Sequence, residues 1–408
     1  MKVAALANAH ALAHVSRLLE ISKVLRSHGH EITFAGRGKY LQIASQDGFT
    51  TRELPYISAE QIVRAVRTQK LWELYRRAEL EVFIEAELEL YKEIQPDLVL
   101  IDNRPTARTS ADKAGLKTAA VLNVHMSNHK QIPFFSLSHR FNSSAIPGLG
   151  LLDRLGNAGE CAVYDRVVMG DMNKIRHDHG LKRLYAYEHE EGDIALFADV
   201  PEFNPVRKLP ENAHYVGPLT WHNRLLAPAC LEQLDASKPT LYFSLGSEGL
   251  GELIEHLGIL TNSGVQIVVA TGTDDIQQKK TVPRGVFLEQ YVNTELLLPH
   301  CDLVCCHGGN GTIYQALSFG LPLVVVATHQ EQNYGGKRIQ RLGLGKALTL
   351  KRLKKAGMEH LVRMVATVLE DSGYRTRAEK FARYLVAGDS AELGAQRIEQ
   401  FAGGRKLK

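Results

Sequence analysis

The stretch that decides the fold is "DLVCCHGGNGTIYQALSFGLPLVVVA", Asp302 to Ala327. A short apolar run, Leu303 to Cys306, enters a turn rich in glycine. Helix-like residues follow, and Gly320 leads into a second apolar run, Leu323 to Ala327. Short continuous apolar runs bounded by turn signals read as buried strands. Strand, glycine turn, helix and strand together make one unit of a parallel sheet with helical crossovers. Such sheets bind ligands beyond the carboxyl ends of their strands, so "HGGNGT", His307 to Thr312, is expected at the binding edge. The glycines let the backbone approach an anion, and the N–H groups of Gly311, Thr312 and Ile313 open a helix whose dipole favours negative charge. A diphosphate suits that turn, with the Thr312 hydroxyl and a His307 ring N–H as further donors. A tight turn alone would also explain the glycines. A second turn, "YFSLGS", ends another strand of the same half and brings Ser244, Gly246 and Ser247 to the same edge.

The same alternation extends outward. "VQIVVATG", "GVFLEQYV", "DLVCC" and "LPLVVVA" are strand candidates of the C-terminal half. In the N-terminal half "KVAALA", a helix with apolar Val15, Leu18, Leu19 and Leu25, and "EITFAG" form one strand–helix–strand unit. "DLVLID", "TARTSADKAG" and "LKTAAVLNV" form another. Residues 59 to 94 read as helical and amphipathic, with the acidic face of "EVFIEAELELYKE" toward water. From about Met126 to Glu160 the pattern breaks into a long aromatic, Pro- and Gly-containing segment, as functional loops do. Phe134, Phe135 and Phe141 there are candidates to line an apolar pocket, or equally a satellite core.

A chain of 408 residues exceeds one ordinary core, so two domains are expected. The Pro-rich "VPEFNPVRKLPENAHYVGPL" sits between the halves. The reading is an α/β chain with residues 1–205 as one doubly wound domain, 206–236 as linker, 237–380 as a second, and 381–408 as a C-terminal segment. Net charge of +4, with basic residues scattered, does not indicate nucleic-acid binding. Five cysteines without zinc spacing fit a reducing compartment. No apolar window reaches the roughly 18 residues of a membrane helix. A cytoplasmic protein is expected, with at most peripheral membrane contact.

The segment from "FLEQYV" through "GGNGT" to "HQEQNYGGKRI" resembles the donor-binding signature of the UDP-glycosyltransferase superfamily, including its bacterial macrolide-type branch. "HVSRLLEISKVLRSHGHEITFAG", "PDLVLIDN" and "YVGPL" resemble N-terminal motifs of the same family, so the likeness spans about residues 1 to 350. It implies the GT-B architecture: two Rossmann-like domains facing across a cleft, with the acceptor on the first, the nucleotide sugar on the second, and the last helix returning to the first. It also implies that Tyr291 stacks on the nucleotide base beside Val292. Likewise it puts His307, Gly309, Gly311 and Thr312 on the diphosphate, Gln315 on the ribose, and Glu331 and Gln332 on sugar hydroxyls. Departures are Tyr291 for the usual Trp, Asn293 and Thr294 for Pro-Gln, Gln315 for Glu, Gly335 and Gly336 for Asn-Ala, Ala13 for Gly, and Arg17 for Pro. Gly335 and Gly336 have no reading from sequence.

With the leaving diphosphate held by donors, the remaining task is to activate the acceptor hydroxyl. His14 is the candidate base, at a strand-to-helix turn whose positive end disfavours the imidazolium. Asp102, ending "VLI", is its candidate partner, orienting the ring and stabilising the cation formed. His10 is the alternative base, and helix capping the alternative role for Asp102. The expected activity is an inverting, metal-independent transfer of a hexose from a UDP- or TDP-sugar to a small apolar acceptor, with no cofactor beyond that co-substrate. A UDP-sugar 2-epimerase type of isomerase and a non-catalytic sugar-nucleotide-binding relative are the alternatives.

Overall fold

The computed structural model describes residues 1–8, 11–68, 70–136, 149–222, 225–244, 251–272, 282–385 and 388–404. The apolar runs form two sheets, and every strand pairing within them is parallel. β1 (Lys2–Ala7), β2 (Glu31–Gly36), β3 (Thr50–Glu53), β4 (Leu98–Asp102), β5 (Lys117–Leu122), β6 (Ile194–Phe197) and β7 (Ala213–Tyr215) build the first, ordered β3-β2-β1-β4-β5-β6-β7. β8 (Thr240–Ser244), β9 (Gln266–Ala270), β10 (Val286–Glu289), β11 (Leu303–Cys306), β12 (Leu323–Ala327) and β13 (Gly345–Thr349) build the second, ordered β10-β9-β8-β11-β12-β13. The chain divides into two compact units, Met1–Trp221 with Gly388–Lys408, and His222–Ala387. β7 falls inside the stretch 206–236, which therefore contributes a strand to the first sheet before the division at Trp221.

Burial on both faces explains why the central strands, such as β4, β11 and β12, are largely apolar rather than alternating. In the first unit Val3 and Ala5 of β1 pack with Val15, Leu18 and Leu19 of the first helix, Leu12–Ser27. Ala4 and Leu6 face the opposite way, toward Leu90 and Tyr91 of helix Arg77–Ile94 and Ala107 and Ala111 of helix Ala107–Ala114. The C-terminal helix, Ser390–Ala402, closes onto the first helix, and the missing Cβ at Gly394 admits Ile21: a methyl there would stand 3.0 Å from its Cδ1. In the second unit Leu241, Ile267, Val286, Leu303 and Val324 share a core with Leu361, Val365 and Val368 of helix Met358–Glu370.

The helical stretch 59 to 94 is two helices, Ala59–Thr68 and Arg77–Ile94, separated by a short 3-10 turn, Leu71–Glu73. Its acidic face does not point wholly to water. Glu87 is fully buried and takes Arg104 Nε at 2.6 Å, the Thr106 hydroxyl at 2.5 Å and the Ser110 hydroxyl at 2.7 Å. A buried carboxylate survives only with such partners, and here it ties a helix to the turn after β4.

Candidate active site

In each sheet the strand order reverses at one point, between β1 and β4 in the first unit and between β8 and β11 in the second. Loops leaving neighbouring strands there diverge and open a crevice at the carboxyl edge. Asp102 lies at the first of these points, and Ser244 and the glycine turn at the second.

In the first unit the register pairs Ala7 with Asp102, so the end of β4 lies beside the exit of β1. The first helix begins at Leu12, with no side-chain cap, and carries His14 in its opening turn. His14 Nδ1 lies 2.7 Å from Asp102 Oδ1. Asp102 is only 1% exposed, whereas the His14 side chain retains 20%. Facing an ionised carboxylate at that distance, Nδ1 carries the proton, which leaves the lone pair on Nε2. The pair has a third member that sequence reasoning passed over as a mere departure. Arg17 donates from Nε to Asp102 Oδ2 at 2.8 Å, from Nη2 to Oδ1 at 2.7 Å, and from Nη1 to Asn123 Oδ1 at 2.6 Å. The signal was present: residues three apart share a helix face, so a cation at Arg17 had to come up beside His14. Asp102 thus accepts from two side chains and is not a helix cap; the next helix starts at Ala107 with Thr106 as its N-cap residue. His10 lies outside the described residues.

In the second unit β8 and β11 pair Ser244 with Cys306, which sets Ser244 beside the start of the glycine turn. Gly246 and Ser247 lie outside the described residues. After Cys306 the chain passes His307 and Gly308 and enters helix Asn310–Ser318, whose N-cap Gly309 brings no side-chain cap. The turn is held tight from behind. Gly308 has φ +99°, and a Cβ there would stand 2.7 Å from the Gln332 carbonyl oxygen and 2.8 Å from Val325. A Cβ on Gly309 would meet His307 Nε2 at 2.6 Å, so the imidazole lies over that glycine. In front, Gly311 is exposed and nothing approaches its Cβ position within 4 Å. Thr312 and Gln315 are half-buried, and Gln315 follows Gly311 by one turn, on the same helix face.

Gly335 and Gly336 acquire a reason. They sit in helix Gln330–Arg341, and added Cβ atoms would stand 2.9 Å from the Gly308 carbonyl oxygen and 2.8 Å from the Ala347 Cβ. The pair lets that helix lie against the glycine turn and β13. At its start Glu331 is exposed, whereas Gln332 is buried, its Oε1 accepting from the Thr328 amide at 2.9 Å and hydroxyl at 2.8 Å. Tyr291 and buried Val292 follow β10, and the Tyr291 hydroxyl donates to the Gly272 carbonyl at 3.1 Å. Asn293 explains another departure: it caps helix Thr294–Leu297 by accepting from the Glu295 and Leu296 amides, and donates to the Leu225 carbonyl at 2.8 Å.

Of the aromatic trio, Phe134 is half-buried, edge-on to His125 with ring centroids 5.9 Å apart. Lys130 Nζ stands 4.3 Å over its ring. Phe135 is 69% exposed, and Phe141 lies outside the described residues. Glu160 accepts from the Phe134 and Phe135 amides at 3.1 and 2.9 Å, pinning this segment to helix Leu149–Val167. Burial pushes the Cys306 thiol up to about 12 and Cys305 well above its usual value, so both stay protonated at neutral pH. Among the described residues no group of three His, Cys, Asp or Glu is placed to hold a metal, and no helix is long and apolar enough to cross a membrane.

Residues 254–400 match the family model of the erythromycin biosynthesis protein CIII-like C-terminal domain. The chain is 30% identical over 386 residues to the PGL/p-HBAD biosynthesis rhamnosyltransferase of Mycobacterium bovis (strain BCG / Pasteur 1173P2), across 92% of this chain and 82% of that one. Among solved structures, the spinosyn rhamnosyltransferase SpnG superposes with a TM-score of 0.71 at 18% identity, covering 98% of this chain and 100% of that one. The glycosyltransferase VinC in complex with DTDP does so with a TM-score of 0.68 at 18% identity, covering 99% and 100%. The structural likenesses carry the fold, and the identity along nearly the whole chain carries the kinship: this protein belongs to the macrolide-type GT-B glycosyltransferases.

Proposed function

We propose that the protein is an inverting, metal-independent glycosyltransferase that moves a hexose from a nucleoside diphosphate sugar to a hydroxyl of a small apolar acceptor. The observation that carries this reading is the 2.7 Å contact between His14 and buried Asp102 at the β1/β4 reversal. In this reading the acceptor belongs to the unit Met1–Trp221 and the donor to His222–Ala387. His14 Nε2 takes the proton of the acceptor hydroxyl. The acceptor oxygen bonds to the anomeric carbon from the face opposite the diphosphate. The bond to the diphosphate breaks, and its electron pair leaves on the phosphate oxygen. Asp102 stabilises the imidazolium as it forms. A direct displacement of this kind inverts the anomeric centre.

On the donor side the uncapped first turn of helix Asn310–Ser318 offers backbone amides to the diphosphate, with Thr312, His307 and Ser244 beside them. Tyr291 and Val292 flank the base, Gln315 the ribose, and Glu331 and Gln332 the sugar; the Gln332 side-chain oxygen also accepts from the Thr328 hydroxyl. Thymidine diphosphate sugars are the first donors to test, because VinC was solved with DTDP, and a rhamnosyl donor is the first sugar, because the M. bovis relative is named a rhamnosyltransferase. Five unpaired, buried cysteines support a cytoplasmic location.

The test is incubation with TDP-rhamnose, TDP-glucose and UDP-glucose against phenolic and macrolide acceptors, following nucleotide release and product mass. Acceptor-dependent release with an inverted linkage is expected, and His14→Ala abolishes it while nucleotide affinity stays nearly intact. A rearranged sugar nucleotide without acceptor, or binding without turnover, would instead select an isomerase or a non-catalytic relative.

A further inference from the structure

Asp102 does not serve His14 alone. Its Oδ1 is shared, with His14 Nδ1 at 2.7 Å and Arg17 Nη2 at 2.7 Å, while Oδ2 takes Arg17 Nε at 2.8 Å. Arg17 Nη2 also stands 3.3 Å from His14 Nδ1. Both nitrogens are donors in this state, so they converge on the carboxylate oxygen rather than bond to each other. The guanidinium is itself anchored by Asn123 Oδ1 at 2.6 Å, and Asn123 by the Ala198 carbonyl at 3.1 Å. Its fork therefore fixes the plane of the carboxylate from the far side.

We propose, resting on the assignment of His14 as base, that Arg17 is a positioning residue which locks Asp102 against His14 and counters the carboxylate's charge. A lone carboxylate beside an imidazole favours the protonated ring; a cation on the same carboxylate opposes that. Without Arg17 the pair would go from one negative charge to neutral as His14 Nε2 takes the acceptor's proton. With Arg17 the cluster goes from neutral to one positive charge, and the guanidinium opposes that gain. The acceptor oxygen then forms its bond to the anomeric carbon as the diphosphate leaves with the electron pair.

Among the described residues, the ionisable groups on surrounding elements have partners of their own. Glu20 of the first helix pairs with Lys23 at 2.9 Å, and Lys23 also with Asp47 at 3.1 Å. Glu87 holds Arg104 at 2.6 Å. Asp199, after β6, accepts from the Val124 amide at 2.7 Å and Asn204 at 2.9 Å. His125 packs on Phe134. Glu399 of the C-terminal helix takes His28 and His30, at the opposite end of the first helix.

The test is the titration of the His14 Cε1–H resonance in the ligand-free protein, assigned with His14→Gln, together with the pH profile of kcat/KM. Arg17→Met moves both the resonance midpoint and the acid limb of the rate to higher pH by about one unit, the low end for a charge at this range. Arg17→Lys restores the midpoint to near the parent's but not kcat, because an ammonium supplies the charge without the fork. Should Arg17→Met fail to fold, Asp102→Asn and the double variant Asp102→Asn/Arg17→Met make the same comparison: the single variant, which keeps the cation, titrates at lower pH. Coincident midpoints in either pair overturn the role of Arg17, whatever the loss of activity. Full transfer by His14→Ala would overturn the base assignment instead, so the two failures are distinct.

Discussion

Gly311 and Gly308 stand three residues apart in one turn, and alanine at each should act in opposite ways. At Gly311 a Cβ meets nothing within 4 Å, and the residue is exposed in the first turn of a helix. Alanine there gains helix propensity, up to about 1 kcal/mol in a helix interior and less in a first turn. For a unit of this size the melting temperature rises by about 1–3 °C. The same methyl occupies the space through which a diphosphate would reach the amides. Losing one charge-assisted bond costs about 1.5–3 kcal/mol, a weakening of roughly 10- to 150-fold in Kd. At Gly308, φ is +99° and the methyl would press on the Gln332 carbonyl oxygen at 2.7 Å and on Val325 at 2.8 Å. Left-handed backbone costs alanine about 1–2 kcal/mol, and overpacking adds about 1–3 kcal/mol. The melting temperature then falls by roughly 5–15 °C. Thermal melts and isothermal titration with TDP read both variants. If Gly311→Ala binds TDP as tightly as the parent, the first turn of this helix is not the diphosphate grip.

Tyr291→Ala weakens donor binding by about 1–3 kcal/mol, the worth of a base stacked on an aromatic ring; Tyr291→Phe keeps the ring and loses the hydroxyl's bond to the Gly272 carbonyl, so titration should find it close to the parent. Glu87→Gln breaks a fully buried pair with Arg104 and destabilises the first unit by about 3–5 kcal/mol in urea unfolding. Burial alone would raise the Glu399 carboxyl, but hydrogen bonds from His28 and His30 outweigh it and hold it below its ordinary value of 4.5. A depressed carboxyl contributes stability above that ordinary value and loses it as pH falls through the lower folded one. Amide-exchange protection in helix Ser390–Ala402, corrected for the intrinsic exchange rate at each pH, should therefore fall as pH drops below about 4.5, and Glu399→Gln should abolish that acid dependence.

The sequence was most legible where both faces of an element are buried. β11 and β12 are unbroken apolar runs, β1, β4 and β8 are apolar apart from residues at their ends, and their order at the strand reversals puts Asp102 and His307 at the carboxyl edges. Short strands were not legible: β7 is three residues, "AHY", and β3, "TTRE", is an edge with exposed threonine, arginine and glutamate. Long-range polar pairing was hidden as well. Glu87 reads as one more acidic residue on an amphipathic helix until Arg104 arrives from the turn after β4. Gly335 and Gly336 had no local reading because what they accommodate, Gly308 and Ala347, comes from other elements. Arg17 lay between these cases. Its spacing from His14 was visible, but not its partner Asp102, which lies 85 residues away.

The two units reverse strand order at the same place and fill it with opposite chemistry, and charge explains the difference. The first unit packs a guanidinium, a carboxylate and an imidazole into one hydrogen-bonded cluster whose formal charge is zero while His14 is unprotonated. The second presents a helix start without a side-chain cap, fronted by exposed Gly311, so backbone partial charge is what it offers. A diphosphate brings negative charge with it, and a rigid set of amides receives it without reorganising. A neutral hydroxyl brings none. A site of net charge would favour a counter-ion over such a guest, whereas a balanced cluster lets an apolar acceptor approach and becomes cationic only when the proton moves. In the proposed transfer that positive charge would appear in the same step that loads negative charge onto the departing diphosphate. Arg17 would be superfluous beside a base that only had to be strong; under the proposed mechanism its use is to balance the carboxylate and hold its plane against His14.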